Sequence, residues 1–164
     1  LNFDLLDERS IAALAQSIGA DIDVVVDATG FLHNAEVRPE KSLSQIRPEA
    51  LALNFALNAT GPALLMKHFL PLLARDRKSV FASLSARVGS ISDNHLGGWY
   101  GYRASKAALN MLLATAAIEL RRSQPRTVVV ALHPGTVSTG LSAPFRGAEI
   151  GRAPALAAAQ AALG

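Results

Sequence analysis

Three short apolar runs punctuate the chain, and longer helical stretches separate them. Val24-Val25-Val26 is β-branched throughout and stops at Asp27-Ala28-Thr29-Gly30, a sharp turn. Ser79-Val80-Phe81-Ala82-Ser83-Leu84 and Thr127-Val128-Val129-Val130-Ala131-Leu132 repeat the pattern. A Ser/Gly-rich loop through Gly98 follows the first, and His133-Pro134-Gly135 closes the second. Continuous runs of this length predict strands covered on both faces. Asp4-Leu5-Leu6-Asp7-Glu8 leads into a helix ending near Ile18, with Gly19 as its C-cap. Phe31 to Arg47 is polar and irregular and predicts a loop. A long helix runs from Pro48 to about Ala74, and another from the Tyr102 region to about Arg122. The pattern weakens after Gly140, although the alanine-rich stretch Ala153–Leu163 predicts a helix. Strands alternating with helices mean βαβ units, so the expected class is α/β, a doubly wound parallel sheet. With no internal repeat, residues 1–164 form a single domain.

Two positions inside the helices carry chemistry. Tyr102 and Lys106 are four residues apart, which sets them on one helical face with Cβ atoms about 5–6 Å apart. A phenol titrating near about 10 is a poor acid–base at neutral pH, and a neighbouring ammonium pulls it down toward a useful range. The pair is thus a candidate proton donor with its tuner. Gly61-Pro62 interrupts the other long helix. Pro62 has no N–H to offer the carbonyl of Asn58 four residues back, which frees an acceptor beside a polar side chain in an apolar helix. Ligands of such sheets sit beyond the carboxyl ends of the strands. Three strand ends carry suggestive turns there: Asp27–Gly30, Ser83–Ser90 and His133–Thr139.

Composition narrows the alternatives. Half the residues are hydrophobic and 18% are charged, which excludes a disordered tail. The net charge of +3 is mild. Arg75, Arg77, Lys78, Arg121, Arg122 and Arg126 fall where helices end and complement their dipoles, so no nucleic-acid partner is expected. Cysteine is absent, and His33, His68, His95 and His133 lack ligand-like spacing, so no metal is expected. No run reaches transmembrane length and no basic-then-apolar leader is seen, so the expectation is a soluble, cytoplasmic protein without membrane attachment.

The motifs, taken in order, resemble those of the short-chain dehydrogenases/reductases over roughly residues 1 to 145. The likeness is to the C-factor-like subgroup, named for a bacterial cell–cell signalling protein. Tyr102-Arg103-Ala104-Ser105-Lys106 matches the family's Tyr-x-x-x-Lys, which implies that Tyr102 exchanges the substrate's hydroxyl proton and that Lys106 holds the cofactor ribose. Asn58-Ala59-Thr60-Gly61-Pro62 is similar to Asn-x-x-Gly-Pro, implying that the Asn58 carbonyl orders a proton-relay water. Asp27-Ala28-Thr29-Gly30 resembles the Asn-Asn-Ala-Gly turn beside the adenosine half of the cofactor, with both asparagines replaced. Asp4-Leu5 resembles the pair that contacts adenine. Pro134-Gly135-Thr136-Val137-Ser138-Thr139 resembles the stretch in which the valine backbone meets the carboxamide and the last threonine the phosphates.

The resemblance implies a Rossmann-type sheet, NAD or NADP as cofactor, and a small-molecule carbonyl or alcohol substrate. It also implies a homodimer or homotetramer through the two long helices. Two departures qualify it. The family's opening strand and Gly-rich phosphate turn, and its last strand, have no counterpart here, so a partial domain is expected. Where the family carries its catalytic serine, sixteen positions before the tyrosine, this chain has Ala86. Ser85 or Ser90 could supply the hydroxyl, Ser90 being favoured because the neighbouring Gly89 permits close approach; the alternative is that both hydroxyls satisfy loop backbone groups. The rival to an oxidoreductase is a non-catalytic dinucleotide-binding or signalling protein on the same fold.

Overall fold

A computed structural model describes residues 2–135, 143–145 and 160–161. Helix α1 spans Glu8–Ile18. The Asp7 side chain caps it by accepting from the Arg9 amide at 3.0 Å, and Gly19 ends it in the left-handed region (φ 83°) with its N–H on the Ala15 carbonyl. Ile11 and Ala15, one turn apart, are its buried face.

Strands β1 (Val24–Asp27), β2 (Ser79–Leu84) and β3 (Thr127–Leu132) pair in parallel, with Val25, Phe81 and Val129 in one row across the sheet. That row faces the core, where Phe81 is fully buried among Ile11, Leu65, Phe69, Leu109 and Leu113. The expectation that Val24–Val26 is covered on both faces is not met: Val24 and Val26 are each 57% exposed. The reason is position. β1 pairs only with β2 among the described residues, and its alternate side chains point away from the core. Gln160–Ala161, expected as helix, instead form a two-residue strand β4 antiparallel to β3; the rest of that expected helix lies outside the described residues.

The long helix expected from Pro48 is broken in the middle. It comprises α2 (Pro48–Phe55), a π-helical turn over Ala56–Thr60, α3 (Gly61–Phe69) and a final 3₁₀ turn over Leu70–Leu72. Pro62 cannot donate to the carbonyl four residues earlier, and the helix answers by widening, so that the Gly61 amide reaches back five residues to the Ala56 carbonyl. Gly61 itself is fixed by packing. A Cβ there would lie 2.4 Å from Cγ of Leu5, whose side chain rests on the helix.

Helix α4 (Tyr100–Ser123) crosses behind the sheet and presents one buried stripe of two chemistries. Tyr102, Ser105 and Lys106 form its polar N-terminal end, and Leu109, Leu113 and Leu120 its apolar remainder.

Gly61→Ala should cost about 1–3 kcal/mol in urea denaturation, because the added methyl overlaps Leu5. In a Leu5→Ala background the same change should cost much less, and an equal cost in both backgrounds would refute the packing argument.

Candidate active site

The turns at the carboxyl ends of β1, β2 and β3 converge on a cleft of about 930 Å³, and the N-terminal half of α4 forms its floor. Ala28, Thr29 and Gly30 enter from the first turn, Ser85 and Ala86 from the second, Pro134 and Gly135 from the third. Tyr102 and Lys106 reach it from α4.

Lys106 is 3% exposed and its ammonium donates to the Leu84 carbonyl at 2.8 Å, at the very end of β2. Burial pushes its pKa down to about 8, against the pull of the Asp27 carboxylate, which favours the charged form. Tyr102 is buried too, and burial raises its pKa. The net shift at the phenol is thus upward, with desolvation as its cause, and not the expected downward tuning by Lys106. Gly30 sits over the lysine: a Cβ there would stand 3.8 Å from Nζ and 3.9 Å from Oδ1 of Asn58. Both are ordinary contact distances, so Gly30 packs beside the ammonium without crowding it.

Asn58 is completely buried, and its side chain behaves like a strand partner. Oδ1 accepts from the Phe31 amide and Nδ2 donates to the Phe31 carbonyl, both at 2.8 Å. Nδ2 also donates to Oγ of Ser105 at 3.1 Å, and that hydroxyl donates to the Tyr102 carbonyl. One amide thus ties the turn after β1 to the helix turn between Tyr102 and Lys106.

The other expected cofactor residues divide. Ala28, Thr29, Gly30, Pro134 and Gly135 line the cleft. Asp27 does not: its buried carboxylate accepts from Ser83 Oγ (2.6 Å), Thr29 N–H (3.0 Å) and Thr29 Oγ1 (2.6 Å), which builds the turn instead. Asp4 and Leu5 lie away from the cleft, Asp4 accepting from the Leu6 amide and Leu5 packing on Gly61. Val137 and Thr139 lie outside the described residues.

Ser90 does not join Tyr102 and Lys106. Its hydroxyl lies 3.3 Å from that of Ser92 and accepts from the Asp93 amide, in a shallow hollow beside Tyr100 and Gly97. The 3₁₀ turn Arg87–Gly89 explains this. Gly89 presses so close to α4 that a Cβ would meet the Lys106 carbonyl carbon at 2.9 Å, and Ser90 emerges on the far side. Ser85 lines the cleft, but its hydroxyl donates to Oδ1 of Asn110 at 2.6 Å. At the serine position the methyl of Ala86 faces the cleft.

Other residues complete the cleft, and the sequence marks the stretches they come from: the turn that opens at His133, Trp99-Tyr100 at the start of α4, and the stretch Leu141–Gly147 that holds Phe145. His133 follows β3 in the cleft wall, its buried Nδ1 without a hydrogen-bond partner among the described residues and its pKa lowered by burial and by Arg87. It opens the His133–Thr139 turn that the sequence marks at this strand end. Trp99 stands edge-on to Tyr102 (6.2 Å between centroids) and to Phe145 (5.1 Å), and Phe145 to His33 (5.3 Å), forming an aromatic rim.

A family model described as enoyl-(acyl carrier protein) reductase matches residues 1–163. The chain is 39% identical over 94 residues to the C-signal of Myxococcus xanthus, covering 57% of this chain and 55% of that protein. It is 32% identical over 147 residues to 1-hydroxy-2-glutathionyl-2-methyl-3-butene dehydrogenase of Rhodococcus sp., covering 88% and 61%. Among solved structures, the carbonyl reductase Sniffer of D. melanogaster aligns with a TM-score of 0.76 at 27% identity, over 85% of this chain and 60% of that one. The NADPH-bound carbonyl reductase from chicken fatty liver aligns with 0.73 at 27% identity, over 85% and 58%. The chain thus spans 55–61% of the length of these proteins.

The buried lysine sets a pH signature. Its ordinary value of 10.5 falls to about 8 on folding, so between those values the unfolded chain holds a proton that the folded one lacks, and stability rises with pH across that window. Lys106→Met should therefore stabilise the fold by about 1–3 kcal/mol at about pH 7, with the gain fading as pH climbs toward the unfolded value. Urea denaturation at several pH values checks this, and a gain independent of pH would contradict it.

Proposed function

The chain belongs to the short-chain dehydrogenases/reductases, and on that premise we propose that the intact protein moves hydride between NAD or NADP and a small carbonyl/alcohol pair. The observation that carries the proposal is the convergence of Tyr102, Lys106 and three strand-end turns on one cleft. The residues present suit the nicotinamide–ribose half of such a cofactor: Thr29, Gly30 and Pro134-Gly135 border the cleft that Tyr102 and Lys106 line. Bound there, the dinucleotide supplies or accepts the hydride.

The chain's own residues handle the proton. Burial keeps the Tyr102 phenol protonated, which suits it to donate to a carbonyl oxygen during reduction and to recover that proton in the reverse direction. Lys106, titrating near neutrality, holds the ribose and passes the proton on. The Asn58 carbonyl, which Pro62 cannot engage, orders the relay water. Leu32, Leu96, Trp99 and Phe145 make the substrate side of the cleft apolar. The proposal includes a cytoplasmic homo-oligomer joined through the long helices, where Met111 and Ile118 of α4 are exposed; no described helix is long and apolar enough to cross a membrane.

Ala86 favours a second reading, a dinucleotide-binding signalling protein without turnover, because the tethered Ser85 and the displaced Ser90 leave the usual serine donor unreplaced.

Titration with NADH and NADPH, followed by nicotinamide fluorescence, should show saturable binding of one of them. Tyr102→Phe should leave that binding intact and lower kcat by about 100-fold or more. Turnover at the original rate would remove Tyr102 from the chemistry, and cofactor binding with no turnover in either protein would establish the signalling reading. Ala86→Ser should raise kcat by about tenfold, by returning a donor to the reacting oxygen. No rise would mean that another group already holds that oxygen.

A further inference from the structure

Helix α4 begins without a cap of its own. Trp99 occupies the N-cap position in the left-handed region (φ 54°, ψ 43°), and its side chain makes no capping hydrogen bond. The first-turn amides of a helix have no partner within the helix and need one from elsewhere. Here it comes from Glu40, 61 residues earlier in the chain, in the irregular segment between β1 and α2. Oε2 of Glu40 accepts from the Gly101 amide at 3.1 Å, and the Glu40 carbonyl accepts from the Trp99 amide.

The surroundings are shaped for this contact. Glu40 is 4% exposed and forms no ion pair among the described residues, so the helix terminus itself is its electrostatic partner. Gly98 has φ 64° and lies so close that a Cβ would meet the Glu40 carbonyl oxygen at 3.3 Å. A Cβ on Gly101 would meet Oε1 of Glu40 at 3.1 Å and Nδ2 of Asn54 at 3.0 Å. Glycine on both sides of Trp99 therefore lets the carboxylate reach the backbone. Among the described residues Oε1 has no hydrogen-bond partner, so the Gly101 amide on Oε2 is the donor that compensates the buried carboxylate.

We infer that Glu40 is a positioning residue: by capping α4 at Gly101 it fixes the turn from which Tyr102 reaches into the cleft. Tyr102 is the next residue along, and Lys106 lies one turn further. The inference rests on the proposed proton-transfer role of Tyr102 for its catalytic consequence, but the cap itself does not.

The test compares Glu40→Ala, Glu40→Asp and Glu40→Gln in the intact protein, using amide hydrogen exchange and steady-state kinetics. Glu40→Ala should speed exchange at Gly101 by about tenfold while leaving Leu109 and Leu113 unchanged, because the Trp99 amide is held by the Glu40 main chain, which alanine keeps. It should lower kcat by about tenfold with little change in the cofactor KM, because the acid is misplaced and not removed. Glu40→Gln keeps an acceptor and should restore both readouts to within about threefold of the original. Glu40→Asp keeps the charge but shortens the reach, and should reproduce the faster exchange if the alanine variant does not fold. Unchanged exchange at Gly101 in the alanine and aspartate variants would overturn the inference, as would a glutamine variant as impaired as alanine. Faster exchange in a protein whose unmodified form transfers no hydride would support the cap and remove the enzymatic role instead.

Discussion

The side chain of Asn58 is completely buried, so the hydrogen bonds it gives up to solvent must be replaced inside the protein. It meets that demand by pairing with both backbone groups of Phe31 and with Ser105. The consequence reaches beyond the residue. The turn after β1 cannot leave α4 without stranding a buried amide, and a stranded polar group costs about 1–3 kcal/mol. Gly30, which lines the cleft beside Lys106, is held in place because its neighbour Phe31 is. The cleft is thus a by-product of satisfying one asparagine.

The same logic orders the second wall. Ser85 is tied to Asn110 and Gly89 is pressed against the Lys106 backbone, so the segment after β2 has little freedom to offer a hydroxyl to the cleft. Lys106 joins these parts by binding the last carbonyl of β2. A buried ammonium with one carbonyl partner and a carboxylate in the background is a poor stabiliser of the fold.

Features set by neighbours in sequence were legible before any coordinates. The Gly19 cap bounds α1, the short apolar runs mark β2 and β3, and the spacing of Tyr102 and Lys106 puts both on one face of α4. What escaped was set by partners distant in the chain. Val24 and Val26 carry the same pattern as Val128 to Val130, and only the lack of a described strand beyond β1 tells the two runs apart. Ser90 follows a glycine that does allow close approach, but the approach is to the helix and not to the cleft. The phenol's environment depends on where the Lys106 ammonium points, which spacing alone does not fix. Glu40 sits in a stretch without periodicity, and its partner is a backbone amide that no sequence pattern displays.

The widened turn at Ala56–Thr60 acts on the helix as a phase shifter. It fits one more residue into a turn than an α-helix allows, so everything after it is rotated by roughly 100° relative to an uninterrupted helix. Before the turn, Asn54 looks toward α4; after it, Leu65, Met66 and Phe69 enter the apolar core. A single unbroken helix could not serve both azimuths with these residues. Removing one residue from the segment would make the helix more regular and, by the same step, turn the apolar face of α3 away from the core. Length in this segment is therefore a coordinate of the fold, and a change of one residue there is a change of direction.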